Sequence, residues 1–126
     1  MKIFEGFWNS NGDIDIDKLE EELNIILTDG ELAERSYLVN KENFIFTNKR
    51  MIILERQGRV SKKTKYTSFP YRSITHYSIE TEGYVEADAV LTIYIQALNE
   101  PIIREFKRDK TIYNIQKALS HYILDI

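Results

Sequence analysis

The side chains that most often carry catalysis or bind metal ions are sparse in this sequence. The chain has no cysteine and two histidines, His76 and His121, which lie far apart along it. Without cysteine there are no thiolate ligands or thiol nucleophiles, and the histidine spacing matches no zinc motif. The sequence around Ser73 also lacks the G-x-S-x-G turn of a serine hydrolase. We therefore predict no catalytic site, no metal site and no cofactor, in a protein that is not an enzyme.

Three aspartates at alternate positions, within 13–17, imitate the start of a calcium-binding loop. Such a loop needs glycine at its sixth position and a bidentate glutamate at its twelfth, where this chain has Lys18 and Asn24. The start of a helix explains the aspartates better, because carboxylates there cap the chain and complement the helix dipole. The five glycines form no phosphate-binding motif, so no nucleotide-binding loop is predicted.

The densest positive charge lies between residues 56 and 65. Five cations fall there: Arg56, Arg59, Lys62, Lys63 and Lys65. Such a cluster of cations is able to bind anionic lipid headgroups or nucleic acid phosphates. Alternatively, it is the solvated tip of a hairpin and has no binding role. Nucleic acid is disfavoured, because the acidic N-terminal segment would repel a long phosphate chain. Peripheral binding to an anionic membrane through this loop is therefore an alternative function.

The formal net charge of −3 conceals a segregation of charge along the chain. Residues 1–34 contain ten acidic residues and two basic ones, whereas residues 35–72 contain ten basic residues and two acidic ones. These segments can pair within one chain or between neighbouring copies, and the sequence leaves both arrangements open.

Two amphipathic helices are predicted, one near each end of the chain. The first covers residues 13–28, is capped by Asp15 or Asp17 and is stopped by Asp29-Gly30. The second covers residues 110–124, with Asp109 or Thr111 as its cap. Each has one apolar stripe at helical spacing. The stripes are Ile16, Leu19, Leu23, Ile26 and Leu27, and Ile112, Ile115, Ala118, Leu119, Tyr122 and Ile123.

Alternating apolar positions and turn residues predict seven strands within residues 31–107. They are 32–39, 43–47, 50–56, 64–69, 74–81, 90–97 and 102–107. We expect Asn48 to adopt a left-handed backbone in a tight turn, and Pro70 to force a bend. Seven short strands favour a mainly β barrel or sandwich whose open end is covered by the last helix.

The domain organisation follows from these elements. We predict a loose arm over residues 1–12 and a single domain over residues 13–126. The sequence contains no signal-peptide pattern and no apolar run of membrane-spanning length, so we expect a cytoplasmic protein.

Several unusual strings in fixed order resemble the bacterial pleckstrin-homology-like (PH-like) family. They are FIFTNKR at 44–50, KKTKY at 62–66, PYRSI at 70–74, SIET at 78–81 and IYNIQKAL at 112–119. The resemblance covers about residues 16–124, which is nearly the whole chain. It implies a seven-stranded bent antiparallel barrel or sandwich capped by the C-terminal helix, to which this chain adds an N-terminal helix.

The resemblance also implies a role in assembly and protein binding. Single-domain members of the family form closed cyclic rings, expected to be pentamers, with a hydrophilic surface where strands of adjacent protomers meet. That surface is thought to bind another protein, which the sequence does not identify. Its candidates here are the polar residues of the matched strings: Asn48, Lys49, Arg50, Tyr71, Arg72, Ser73 and Glu80. Phosphoinositide-binding pleckstrin homology domains have several basic residues around the first hairpin loop. Here that loop, 40–43, is short and has one cation, which argues against inositol-lipid binding. We thus predict a non-enzymatic homo-oligomeric interaction module.

Overall fold

The computed structural model describes residues 8–9, 16–58, 63–81, 88–107 and 110–124. Its helices are α1 (Ile16–Asn24) and α2 (Lys110–Leu124), with a 3-10 turn at Tyr71–Ser73. Its strands are β1 (Trp8–Asn9), β2 (Ala33–Val39), β3 (Glu42–Thr47), β4 (Arg50–Gln57), β5 (Lys63–Pro70), β6 (Ile74–Thr81), β7 (Asp88–Ile95) and β8 (Ile102–Lys107). All seven predicted strands and both predicted helices are present, with ends that differ by a few residues. The mainly β class is confirmed.

Two sheets contain these strands. The first has the order β1-β2-β3-β4-β5 and the second has the order β6-β7-β8. Strands β2, β3 and β4 pair antiparallel in sequence, as do β6, β7 and β8. The short strand β1 instead runs parallel to β2, with Trp8 opposite Arg35. Residues 8 and 9 of the predicted arm therefore form a strand; the rest of the arm lies outside the described residues. By packing, the chain divides into two compact units, residues 1–68 and 69–126.

Helix α1 supplies one side of the core in the first unit. Leu19 and Leu23 are fully buried, and they form a cluster with Leu27, which follows the helix, and with buried residues of the strands: Ala33, Ile45, Ile52 and Leu54. A helix of nine residues is marginal on its own, so this packing is what stabilises it. The predicted stripe is confirmed for these leucines.

The end of helix α1 is earlier than the sequence predicted. The helix stops at Asn24, five residues before the expected Asp29-Gly30 signal. The amides of Ile26 and Leu27 both donate to the carbonyl of Leu23, which closes the last turn and keeps Leu27 in the core. Gly30, with a φ of 80°, serves a later turn instead.

Helix α2 packs within the second unit, against β6 and the 3-10 turn. Its predicted apolar stripe is confirmed, since Ile112, Ile115, Ala118 and Leu119 are buried. The Tyr77 and Ser120 hydroxyls are 2.7 Å apart, and the rings of Tyr71 and Tyr122 stack with centroids 5.0 Å apart. These contacts fix α2 on the strand and the turn.

In the second sheet the exposure of side chains alternates. On β6, Ile74 is buried while His76, Ser78 and Glu80 are exposed. On β7 the alternate residues Ala89, Leu91 and Ile93 are buried. One face of this sheet is therefore apolar and covered, and the other presents polar side chains to solvent. As predicted, Pro70 ends its strand and leads into the 3-10 turn.

Candidate functional site

The turn between β3 and β4 contains the first of the predicted surface residues, and its geometry differs from the expectation. The left-handed asparagine is Asn40, with a φ of 58°, in the preceding turn; Asn48 is not among the positive-φ residues. The Asn48 side chain instead accepts a hydrogen bond from the Leu32 amide at 2.8 Å and donates one to the Gly30 carbonyl at 3.1 Å. Asn48 thus ties two turns together through its amide group, while the neighbouring Lys49 is exposed.

Arg50, another predicted surface residue, is engaged inside the first unit. Its Nε and Nη2 atoms donate to the two carboxylate oxygens of Glu31 at 2.9 and 3.0 Å. Nη2 also donates to the Ile26 carbonyl at 2.7 Å, and Nη1 to the Ser68 hydroxyl at 3.0 Å. With so many of its donors engaged, the Arg50 guanidinium holds the segment after α1 against the sheet. A role for Arg50 in partner binding stays a prediction.

Glu31 is the buried anchor of this arrangement. It is 1 % exposed, and its carboxylate also accepts from the Thr47 hydroxyl at 2.7 Å and the Thr28 amide at 3.1 Å. Burial raises the pKa of Glu31, but the hydrogen bonds from Arg50, Thr47 and Thr28 outweigh it and hold the pKa below its ordinary value of 4.5. Glu31 therefore stays ionised at neutral pH.

The other predicted surface residues lie in the second unit. Arg72 and Glu80 are exposed, whereas Tyr71 is half-buried because its ring stacks on Tyr122. The Ser73 hydroxyl donates to the Pro70 carbonyl at 2.7 Å, which closes the 3-10 turn. Among the seven candidates, Lys49, Arg72 and Glu80 are therefore the ones whose charged groups lie most open to solvent.

The basic loop is only partly described, since Arg59 and Lys62 lie outside the described residues. Arg56 forms a two-pronged ion pair with Glu22 of α1, at 2.7 and 3.0 Å, and donates to the Asn43 side chain at 2.8 Å. Lys63 and Lys65 are exposed, and Lys65 is 3.9 Å from a Glu55 carboxylate oxygen. Membrane binding through this loop stays a prediction.

Some oppositely charged residues of the acidic and basic segments pair with each other within the chain. The ion pairs Glu31–Arg50 and Glu22–Arg56 each join an acidic residue of the first 34 to a basic residue of the next segment. The sequence left open whether the two segments pair within one chain or between copies. These four charged residues pair within one chain.

A groove that sequence reasoning missed lies beside the Glu22–Arg56 pair. Its lining includes Lys18 and Lys41 together with Arg56 and Lys63. Lys18 and Lys41 stand alone in acidic or polar segments of the sequence, so no local pattern marks them. The tertiary fold, which brings α1 beside the β2–β3 turn, is what joins them to the basic loop.

The two histidines make aromatic contacts. The ring of His76 stacks on Tyr94 with centroids 4.0 Å apart, and His121 meets Tyr122 edge to face at 4.8 Å. Over the described ranges, no three His, Cys, Asp or Glu side chains are grouped so that they could hold a metal ion. Among the helices of the described ranges, none combines the length and hydrophobicity that a transmembrane helix needs.

Two sheets, antiparallel except for the short strand β1, and a C-terminal helix define a small, mainly β domain. The family model for the bacterial PH domain matches residues 2–123. The chain belongs to this family, and the resemblance inferred from the sequence is confirmed.

Curated relatives occur in Bacillus subtilis (strain 168). The uncharacterised protein YjqA is 36% identical over 121 residues, which cover 95% of this chain and 97% of the relative. The uncharacterised protein YozO is 26% identical over 103 residues, covering 82% and 88% respectively. These relatives share the fold family with this chain, and their names assign no activity.

Two solved structures are similar to this chain. A pleckstrin homology domain from Shewanella amazonensis SB2B superposes with a TM-score of 0.78 and 39% identity, covering 88% of this chain and 100% of that one. A protein with a pleckstrin-homology domain from Shewanella loihica PV-4 gives a TM-score of 0.72 and 33% identity, with coverage of 88% and 99%. The PH-like fold class of this chain is thereby established.

Proposed function

We propose that this chain is a cytoplasmic, non-enzymatic interaction module that assembles into a closed cyclic homo-oligomer, a pentamer, and presents a polar surface to a protein partner. Membership of the bacterial PH domain family supports the proposal, because the family resemblance implies such rings. A head-to-tail ring needs two different patches on each subunit, and its closure leaves none unpaired.

The observation that carries the assembly step is the character of strand β8. It lies at an edge of the second sheet, with β7 as its neighbour. It also bears Ile103, an isoleucine that is 51% exposed and that stands opposite Thr92 on β7. An edge strand with an exposed apolar side chain is a ready template for pairing with another chain. A second copy that covers β8 would form hydrogen bonds with its backbone edge and would bury the Ile103 side chain.

The polar surface is supported by exposure. Glu80 lies opposite Val90, and Val90 lies opposite Glu105 of β8, so two carboxylates flank one row of the exposed sheet face. Lys49 and Arg72 are exposed on turns. Such charged side chains at a surface favour specificity and fast association with a partner of complementary charge.

The assembly step is tested with Ile103→Lys. Light scattering after size-exclusion chromatography should give a mass of several chains for the wild type and a lower mass for Ile103→Lys, because a charge would be buried at the contact. The matched control is Ile25→Lys, since Ile25 is a 76% exposed isoleucine in the other unit. A wild type that runs as a single chain, or equal masses for both variants, contradicts the proposal.

The partner surface is tested separately. Arg72→Glu and Lys49→Glu reverse exposed charges and spare the buried Arg50 network, so both variants should fold. A partner purified with the wild-type chain should bind each variant more weakly, and should bind Lys110→Glu, an exposed change on α2, as it binds the wild type. Equal binding by all three variants would place the surface elsewhere.

A further inference from the structure

The turn between β7 and β8 presents a leucine on a strained backbone. Leu98 is 54% exposed, which is unusual for a large apolar side chain. The preceding Ala97 has a φ of 72°, in the left-handed region that glycine adopts readily and that alanine adopts at a cost. Backbone strain of this kind persists where the surrounding structure enforces it, and it is concentrated at functional sites.

Two backbone hydrogen bonds hold this turn in place. The Leu98 amide donates to the Ile95 carbonyl at 3.2 Å, which closes the turn. The Gln96 amide donates to the Ser73 carbonyl at 2.7 Å, which fastens the turn to the 3-10 turn. The Leu98 side chain therefore projects from a rigid support. An apolar side chain on a fixed backbone loses little conformational entropy on binding, so more of its buried area contributes to affinity.

The structure favours a second copy of this chain as the occupant of this surface, and this step rests on the assembly proposed above. Leu98 lies four residues before β8, the edge strand that exposes Ile103. The turn leads directly into that strand, so a neighbouring copy that covers β8 comes close to Leu98. A head-to-tail contact then requires a different patch on the neighbour to receive Leu98.

The outer side of α2 is a second and different apolar patch of the same unit. Tyr113, Lys117 and Leu124 are exposed there, at positions i, i+4 and i+11 of the helix, away from the buried stripe. Leu124 is 62% exposed. The charges of the two patches are complementary, because Glu100 is an exposed carboxylate two residues after Leu98, and Lys117 lies between the apolar side chains of α2.

We propose that Leu98 of one copy packs against Tyr113 and Leu124 on the outer side of α2 in the next copy, with Glu100 beside Lys117. An apolar anchor with charged groups at its rim is the usual anatomy of a protein interface. The contact joins unlike surfaces, so every copy in a closed ring uses one of each. It uses none of the residues proposed for the protein partner.

Cysteine cross-linking tests this contact, since the chain has no cysteine of its own. The double variant Leu98→Cys, Leu124→Cys is treated with a short bismaleimide and separated on a denaturing gel. We expect a ladder of covalently joined chains, because each copy is linked to the next. Each single variant should remain a single chain, since the contact joins unlike surfaces. The control pairs Leu98→Cys with Ile25→Cys, at an equally accessible isoleucine of the other unit, and should give no ladder.

Light scattering of charge variants is an independent measurement. Leu98→Lys and Leu124→Glu should each weaken association at least about tenfold, because each buries an unpaired charge at the contact. The double variant Leu98→Lys, Leu124→Glu should regain a mass of several chains, because the two new charges face each other across the contact. Both positions are exposed, so the single chains should fold, and thermal unfolding of each variant checks this.

The outcomes separate this contact from the assembly itself. A wild type that assembles, and loses its assembly in Ile103→Lys, while the cysteine pair gives no ladder, would leave the ring standing and overturn the Leu98–α2 contact. A ladder from the Ile25→Cys control, or no recovery in the double charge variant, would also contradict the contact. A wild type that runs as a single chain would overturn the assembly proposal and this contact with it.

Discussion

Replacing Glu31 by glutamine removes one charge from the buried network and changes the shape of the side chain very little. In the wild type each carboxylate oxygen accepts one hydrogen bond from Arg50, Oε2 from Nε and Oε1 from Nη2. Glutamine has a single oxygen, so either orientation of its amide sets an NH₂ group against an arginine N–H. The substitution therefore breaks the ion pair and places donor against donor.

The size of the effect follows from burial. Removing one partner of a buried ion pair costs about 3–5 kcal/mol, because the remaining charge is left without compensation. Here Glu31 is 1% exposed but the Arg50 side chain is 24% exposed, so water can partly rehydrate the guanidinium. We expect Glu31→Gln to lower the free energy of unfolding by about 2–4 kcal/mol.

Urea denaturation followed by circular dichroism at pH 7 measures this difference. The matched control is Glu100→Gln, which removes the same charge from an exposed turn and should change the stability by less than about 0.5 kcal/mol. A loss of unfolding free energy below about 1 kcal/mol for Glu31→Gln would refute the view that the Glu31–Arg50 ion pair is a major source of stability.

The same pair of proteins tests the pKa of Glu31. Because the folded pKa is depressed, its contribution to stability is fully present above the ordinary value of 4.5 and is lost as the pH falls through the folded value. The gap between wild type and Glu31→Gln should thus be constant from pH 7 to about pH 5 and shrink below it. A gap that stays constant down to pH 3 would contradict the depressed pKa.

Two further substitutions test the packing around this network. Leu23→Ala should lower the free energy of unfolding by about 2–5 kcal/mol, because Leu23 is fully buried between α1 and the first sheet. The control Ile25→Ala should lower it little, since Ile25 is exposed. Equal urea midpoints for the two variants would contradict the packing. Asn48→Ala should lower the free energy of unfolding by about 1–2 kcal/mol, because the Asn48 side chain forms hydrogen bonds with both Leu32 and Gly30. Asn99→Ala, in an exposed turn, is the control. An unchanged urea midpoint for Asn48→Ala would show that these two hydrogen bonds do not stabilise the fold.

Alternation and apolar periodicity were sufficient to predict both helices and the strands β2 to β8, but not the short strand β1. The burial of Phe44, Ile45 and Phe46 on β3, and of Ile112 and Ile115 on α2, follows from runs that are visible in the sequence. These patterns are local, since side chains two residues apart on a strand, or three to four apart on a helix, share a face. The strands between 31 and 107 were therefore predictable to within a few residues.

The role of polar residues was not predictable in the same way. Arg50 belongs to a conspicuous string and was expected at the surface, but its partner Glu31 stands nineteen positions earlier in the chain. The turn pattern also predicted a left-handed backbone for Asn48, whereas Asn40 is the asparagine that adopts it, because both asparagines stand in turns before a lysine. Long-range polar contacts depend on which turns the fold brings together, and no periodic pattern encodes that.

The candidate sites show the same division. The basic loop was visible as a cluster in sequence, whereas the groove beside the Glu22–Arg56 pair also includes Lys18 and Lys41, from segments that contain few other cations. Strand β8 was predicted as a strand, but its position at a sheet edge, with Ile103 exposed, required the topology. Composition identifies the charged residues, while the fold determines which of them lie close together.

Native mass spectrometry of the full chain tests the central claim, assembly into a closed ring, most directly. It counts the copies in each complex as multiples of the 14.9 kDa chain. We predict one dominant species of five chains for the wild type and for Ile25→Lys, and the loss of that species in Ile103→Lys. A wild-type spectrum dominated by the single chain would contradict the proposed ring.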